Sequence, residues 1–332
     1  MLNSSSEKEK SGQNSPLNLL TEVLRDQLYR GARSGGELPL GDLGLAEWVK
    51  RLSYHLVTLD INDYTRALIR AIWLAPKFAA TDFGSARQRD IAQVWTDTAR
   101  GFLGEIALQK FLRSNFRIET RLDTRRGELK EFLPSDIEEI KKPNDRWRKP
   151  LLNISIKTTK FNGRWLDLPG AQIEHSNVFI LVKLGISRFH FLSYLKGVNF
   201  FKEKLIIEAQ ALDELSDKDA QILLKDLPDF NPIPAYIAGF LEKDKLTFPI
   251  HEINAKLKGR TRRRIEIVGG VGIFSRSTVR NHPSIQQIDN YSQYPISIVP
   301  IIDSLTENSH FLANSGALSY GHDNWQNLLD KM

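Results

Sequence analysis

The stretch Leu151-Leu-Asn-Ile154-Ser-Ile-Lys157-Thr-Thr159 decides how the middle of this chain folds. Ile154 and Ile156 alternate with Asn153, Ser155 and Lys157. On a pleated strand successive side chains leave on opposite faces, so the two isoleucines point into a core while Ser155 and Lys157 project together from the other face. A lysine beside a small polar residue in mid-strand is an unusual choice for a purely structural sheet. Upstream, Leu133-Pro-Ser-Asp136 places an aspartate in a second short apolar run, with eighteen residues between it and Ser155.

Working outward, residues 85–114 carry helical apolar spacing (Ile91, Val94, Trp95, Phe102, Leu103, Ile106, Phe111, Leu112). Glu105 sits inside it, flanked by apolar residues and by Gly104, whose missing side chain permits a close backbone approach. Short strands are expected at 116–120, at 131–140 with Asp136, and at 151–159. A loop over 160–168 and a short helix after Pro169-Gly170 come next. Asn177–Gly185 is a continuous apolar run, the pattern of a strand buried on both faces. A further strand is expected over Arg188–Leu195. The order from Ser85 is thus α-β-β-β-α-β, an α/β (α+β) arrangement around a central mixed β-sheet.

Before this core, helices are expected at Leu17–Arg33, Leu45–Leu59 and Asn62–Leu74, the last stopped by Pro76. After it, the pattern gives a helix over Ala211–Leu227 interrupted at Ser216-Asp217, strand-turn-strand over Ala235–Phe248, and a short strand within Ile265–Phe274. The expected organisation is a tail (1–16), an N-terminal helical region (17–84), the core (85–200) and a C-terminal region (201–332). The serine-rich tail has no apolar h-region, which reads as a disordered extension of a cytoplasmic protein. No apolar run reaches the roughly 20 residues of a membrane span. Cysteine is absent, excluding disulfides and thiolate zinc sites, and the seven histidines show no metal-ligand spacing.

The formal charge of +6 is concentrated. Lys141–Arg164 holds eight lysines and arginines against Asp145 alone, with Trp147 and Trp165 interleaved. Lys256–Arg280 holds eight against Glu266. Such segments suit salt-sensitive phosphate binding. Lys160, Arg164, Arg260, Arg262, Arg263 and Arg264 are the candidate DNA contacts, the arginines being of the type that reads guanine edges. Gly269-Gly-Val-Gly272 lacks the lysine and spacing of a phosphate loop and reads as a tight turn.

Phosphodiester hydrolysis needs a hydroxide formed near neutral pH and a counter-charge for the developing oxyanion, both of which Mg²⁺ on carboxylate oxygens supplies. Asp136 and Lys157 on adjacent strands would sit within reach of one another, and the Ile156 carbonyl is an acceptable hard ligand. For either charged residue alone, a cross-strand ion pair is the simpler account. The set Leu-Pro-Ser-Asp136, Ser155-Ile156-Lys157 and the α-β-β-β-α-β order, however, resembles the PD-(D/E)xK nuclease superfamily. With the Ser-Ile-Lys-Thr-Thr string and the buried strand ending near Lys183, it looks like the Type II restriction endonucleases in particular.

The resemblance covers about a third of the chain. It implies that Asp136 binds metal, that Lys157 is the catalytic lysine and that Glu105 on the first core helix completes the metal shell. The position occupied by Ser155 should be acidic. Members with serine there take a carboxylate from the following helix, for which Glu174 is the first candidate and Asp167 the second; Glu138 and Glu139 also lie close in sequence. The implied activity is Mg²⁺-dependent, sequence-specific cleavage of double-stranded DNA giving 5′-phosphate ends, by a homodimer with a cognate DNA methyltransferase. A structure-specific repair or junction nuclease and a catalytically inactive DNA-binding relative are the alternatives.

Overall fold

The computed structural model describes residues 52–81, 90–123, 135–161, 163, 165–187, 189–246, 253–258, 263–269, 271–274, 279–298 and 310–332. The helix expected at Leu17–Arg33 and the tail lie outside the described residues. The chain is a mixed α/β protein whose central four-stranded sheet runs in the order β1-β7-β6-β4. These strands are β1 (Leu56–Leu59), β4 (Ile154–Lys160), β6 (Val178–Leu184) and β7 (Ile233–Glu242). β4 and β6 are parallel, and β6–β7 and β7–β1 are antiparallel.

The pattern of β6 explains the layering. Val178, Ile180, Val182 and Leu184 face one core; Phe179 and Leu181 face another. A strand apolar at every position can satisfy both faces only between two layers. The first layer is helical: α1 (Ile61–Thr81) and α2 (Ile91–Phe116). The second is a three-stranded sheet of β10 (Val271–Phe274), β12 (His310–Asn314) and β5 (Trp165–Pro169). Leu166, Leu168, Phe311 and Ala313 of this sheet pack on Phe179 and Leu181. Beyond it, β11 (Ile296–Ile298), β9 (Arg264–Gly269) and β8 (Asn254–Lys258) enclose a third core containing Trp165, Leu312, Ile265 and Ile267. Burying one such aliphatic side chain is worth about 1.5–3 kcal/mol, so the two faces of β6 anchor the stack.

β7 crosses both cores by changing face. Ile233, Ala235 and Ile237 share a core with Phe240, while Tyr236 and Ala238 share the other with Leu241. The parity switches at Gly239, where the pairing with β6 shifts register. Gly239 has φ +136, and a Cβ there would lie 2.5 Å from the Ser319 carbonyl oxygen, so only glycine fits this bulge.

Several expectations need correction. Leu56–Leu59 is an edge strand, not the end of a helix, because Val57 and Leu59 gain a core by pairing with β7. α1 runs through Pro76 to Thr81; the carbonyl that Pro76 leaves unpaired belongs to Ile72, which is 53% exposed and open to water. Residues expected as a loop before Pro169 contain β5, which pairs with β12. Arg188–Leu195 is not a strand: both edges of β6, which follows the short helix α3 (Gly170–His175), are already taken, and the chain leaves it in α4 (His190–Gly197). Within Ala235–Phe248 the first strand is longer than expected, β7 reaching Glu242 before a helical turn at Lys243–Lys245, and Thr247 and Phe248 lie outside the described residues. Two short strands, β2 (Glu119–Leu122) and β3 (Ile137–Lys141), pair antiparallel beside β4. Helix α5 (Ile207–Ala211) and helix α6 (Asp217–Asp226) flank the expected interruption, and the Ser216 side chain accepts from Asp219 N–H to start the second.

α2 is set against β4 by one close approach. Asp90 caps its start by accepting from the Gln93 N–H at 2.8 Å. Nearly four turns later Gly104 meets Thr158, whose Oγ1 would stand 1.9 Å from any added Cβ. This contact fixes the height of Glu105 over the strand. Gly104→Ala is expected to destabilise the protein by about 1–3 kcal/mol through overpacking. Thr158→Ala in the same chain should recover part of that loss, measured by urea unfolding; an unchanged midpoint in Gly104→Ala would contradict the packing described.

Candidate functional site

The site is built on the free edge of β4. In a strand the N–H and C=O of one residue point the same way. Ser155 and Lys157 turn theirs toward β6, leaving those of Ile154 and Ile156 at the edge. Asp136 lies at a bend just before β3 and clips that edge. Its N–H donates to the Ile154 carbonyl at 2.8 Å, and the Ile154 N–H donates to Ser135 Oγ at 3.1 Å. One residue-pair further on the side chain takes over from the backbone: the Ile156 N–H donates to Asp136 Oδ2 at 2.5 Å. The Ile156 carbonyl therefore opens on the same edge, beside the Asp136 carboxylate. The Asp123 N–H, just after β2, donates to the Asp136 carbonyl at 3.1 Å and completes the frame.

Three layers converge here. Glu105 comes from the helical side. Arg70 of α1 spans the gap beside it, with Nη2 3.7 Å from Glu105 Oε2 and donating to the Asp123 carbonyl at 2.8 Å. Its guanidinium rests 4.3 Å from the centroid of the Phe102 ring. Lys157 comes from the opposite face of β4, in register with Leu181, and so toward the layer that carries β5. The sequence expectation that Ile154 and Ile156 enter a core while Ser155 and Lys157 share the other face holds.

Burial and mutual repulsion shape the charges. Glu105 is pushed well above the ordinary carboxylate range, first by burial and then by Asp136, with Arg70 pulling it back. Burial also raises Asp136, against the pull of the Ile156 N–H and Lys157, with Asp123 adding repulsion. Lys157 is lowered by burial and held up by Asp136 and by Asp167 of β5. These are the terms by which buried acids and bases move toward neutrality.

The expected residues divide accordingly. Glu105, Asp136, Lys157 and the Ile156 backbone are brought together, and Asp167 joins them through Lys157. Ser155 is buried at 8% exposure on the Lys157 face. Glu174 is not brought in: it is exposed near the end of α3, where its carbonyl accepts from Lys243 Nζ at 3.1 Å. Glu138 is exposed, and Glu139 pairs with Arg121 at 2.6 Å. Lys160 is exposed at the end of β4, Arg263 is exposed, and Arg264 opens β9. Arg164, Arg260 and Arg262 lie outside the described residues. Sequence reading missed Asp123 and Arg70. In the sequence the first reads as part of a turn and the second as part of a packing helix; only the β2–β3 pairing and the α1–α2 contact bring them to Asp136 and Glu105.

As a donor set, two half-buried carboxylates and a carbonyl suit a hard divalent cation, whose charge would relieve the repulsion between Glu105 and Asp136. Among the described residues no group of three or more His, Asp or Glu side chains is arranged to hold a metal. Among the described residues no helix is long and apolar enough to cross a membrane. No family model matches this chain, nor does any curated protein or solved structure.

Because the folded chain retains the Glu105 proton where the unfolded chain has released it, the stability this confers is fully present below the ordinary value of 4.5. It is lost as pH rises through the raised value. Glu105→Gln, fixed in the neutral form, should therefore gain in Tm over the parent as pH is taken from about 4 to about 8. A difference in Tm that stays constant with pH would show that Glu105 ionises as it does in water.

Proposed function

We propose that the protein is a Mg²⁺-dependent endodeoxyribonuclease of the PD-(D/E)xK kind, built on a restriction-endonuclease-like core, and that it acts as a Type II restriction enzyme. The observation that carries this reading is the meeting of Asp136, Glu105 and Lys157 at one free strand edge, from three separate elements. An ordinary cross-strand ion pair has no need of a second buried carboxylate from a helix. The order α2, β2, β3, β4, α3, β6, with β5 inserted, is the order that the resemblance implies.

Asp136, Glu105 and the Ile156 carbonyl would hold the ion, which when bound supplies a water of lowered pKa and a counter-charge for the phosphate oxygens. The chain's own part is orientation and proton handling. Asp136 is fixed through Oδ2 by the Ile156 N–H. Lys157 Nζ, half-buried and lowered by burial, is set to orient the attacking water and to stabilise the charge developing on the phosphate. Asp167 keeps that ammonium charged from the far side, a task that the acid expected at Ser155 would otherwise share. Lys160 and the basic segments 141–164 and 256–280 supply phosphate contacts. Cutting two antiparallel strands with one site per chain calls for a two-fold homodimer, and self-protection calls for a cognate DNA methyltransferase.

Ser155 gives a second reading its one observation. A chain without the acid at this position is also compatible with a DNA-binding protein that has lost cleavage.

The deciding experiment incubates plasmid DNA with protein and Mg²⁺. Discrete fragments are expected, with Asp136→Ala and Lys157→Ala each reducing the rate about 10²-fold or more while circular dichroism stays unchanged. Cleavage unaffected by both changes, or no cleavage at all, would overturn the enzyme reading. Salt-dependent DNA binding indifferent to Mg²⁺ and to Asp136→Asn would then favour the second.

The raised carboxyls give an independent test. Mg²⁺ binding should release a proton, because the ion displaces the one that Glu105 retains. Calorimetry in buffers of differing protonation enthalpy would read that release, which should shrink as pH rises and diminish in Glu105→Gln. Binding heats identical in every buffer would count against Glu105 as a ligand.

A further inference from the structure

A pocket of about 340 Å³ opens between α1, α2 and β2, and the site above makes no use of it. Its walls include Arg66, Lys110 and Arg113, with Glu119 as the opposing charge. Lys110 is already engaged: Nζ donates to the Thr58 carbonyl at 3.2 Å and pairs with Asp60 and Asp63. Arg66 and Arg113 are exposed, and among the described residues no ion pair holds either. Two guanidinium groups with planar forks are thus left facing one small volume, the arrangement that suits a phosphate.

The remaining walls are not those of a simple anion site. Trp147 contributes a half-buried indole, braced by the Arg121 guanidinium at 4.3 Å from the ring centroid. Ile106, a core residue at 1% exposure, closes the floor. Gln109 Nε2 donates to the Thr120 carbonyl at 2.5 Å, which leaves its amide oxygen as an acceptor. Thr120 lines the pocket at 5% exposure, and its buried hydroxyl has no hydrogen-bond partner. Leaving a buried hydroxyl unpaired carries a desolvation penalty that a bound polar group would remove. The volume is at the small end for ligand pockets, too small for a duplex and large for a bare phosphate.

We propose that this pocket binds one nucleoside monophosphate unit. The phosphate lies between Arg66 and Arg113, the base packs on Trp147, and Gln109 and Thr120 meet polar edges of the base or sugar. Base–aromatic stacking and phosphate–guanidinium contacts are the common currency of single-strand recognition. Gln109 is one helical turn from Glu105, about 6 Å along α2, and Arg66 is one turn from Arg70 on α1. A single strand running along this groove would therefore bring its neighbouring phosphodiester toward Asp136. The same chemistry is offered by a free mononucleotide, and the test separates the two sources. Only the placing of that neighbouring phosphodiester rests on the nuclease reading; the pocket does not.

Isothermal titration of the full chain without Mg²⁺, using deoxyadenosine 5′-monophosphate, deoxyadenosine and inorganic phosphate, measures the site directly. The monophosphate should bind with a Kd of about 1 mM or tighter, and each fragment at least about tenfold more weakly. The double variant Arg66→Ala/Arg113→Ala, both exposed positions, should weaken the monophosphate about tenfold or more with an unchanged circular dichroism spectrum. Trp147→Leu should weaken it too, whereas Asp136→Ala should leave it unchanged even if cleavage is lost. A single-stranded oligonucleotide that displaces the monophosphate assigns the pocket to a strand nucleotide; undisturbed binding in its presence assigns it to the free nucleotide. No monophosphate binding, binding equal to that of inorganic phosphate, or binding indifferent to the double variant would overturn the proposal. None of these results depends on whether the protein cuts DNA.

Discussion

The Ile156 N–H donates to the Asp136 carboxylate at a point where a neighbouring strand would normally accept it. A hydrogen bond to a charged acceptor contributes roughly 1.5–3 kcal/mol, more than the ladder bond it replaces. The substitution has a geometric result as well. A backbone ladder would have covered the edge of β4 and sealed the Ile156 carbonyl against a partner. A side chain one residue before β3 holds the edge in place yet leaves it open. The remainder of the cluster is arranged around that opening: Asp123 supports the Asp136 carbonyl, Arg70 supports Asp123, and Glu105 sits beside Arg70.

The opening exists because β6 cannot be an edge. Its side chains are apolar on both faces, so it lies between two layers with β4 on one side and β7 on the other. β4 carries polar side chains on one face and is the better strand to leave at the margin. Helix α2 then covers the isoleucine face of β4, and the Gly104–Thr158 contact sets the helix low enough for Glu105 to reach the edge. Packing thus delivers the acid from the helix and the lysine from the opposite face to one place, with the aspartate at the margin between them.

The features legible in the sequence are those whose pattern is complete within one element. The apolar run of β6 and the alternation around Ile154 and Ile156 each state their own burial. So did the meeting of Asp136 with Lys157, because the strands that carry them are close in the chain. What stayed hidden depends on a distant partner. Leu56–Leu59 has helical-looking neighbours and becomes a strand only because β7 offers it an edge. Trp165–Pro169 mixes Trp165 with Leu166 and Leu168 in no clear period, since its two faces serve different cores and its partner β12 comes near the end of the chain. Glu174 was favoured over Asp167 because it follows in a helix. The choice turned on where β5 lies, which no local pattern discloses.

That placement of β5 alters how the missing acid at Ser155 should be understood. On a strand with an acid two residues before the lysine, both side chains share one face, and the acid both neutralises the ammonium and faces the metal ligand. Here Asp136 at the strand margin is the stronger charge partner of Lys157, and Asp167 adds to it. Ser155 is small and buried, so the face beneath Lys157 can be closed by the second layer, and Asp167 supplies counter-charge from that layer. The negative charge near Asp136 is provided instead by Glu105 and Asp123 from the helical side and the β2–β3 pair. Lys157 thus lies between two carboxylates, Asp136 at the strand margin and Asp167 from the second layer, and the small side chain of Ser155 leaves room for that arrangement.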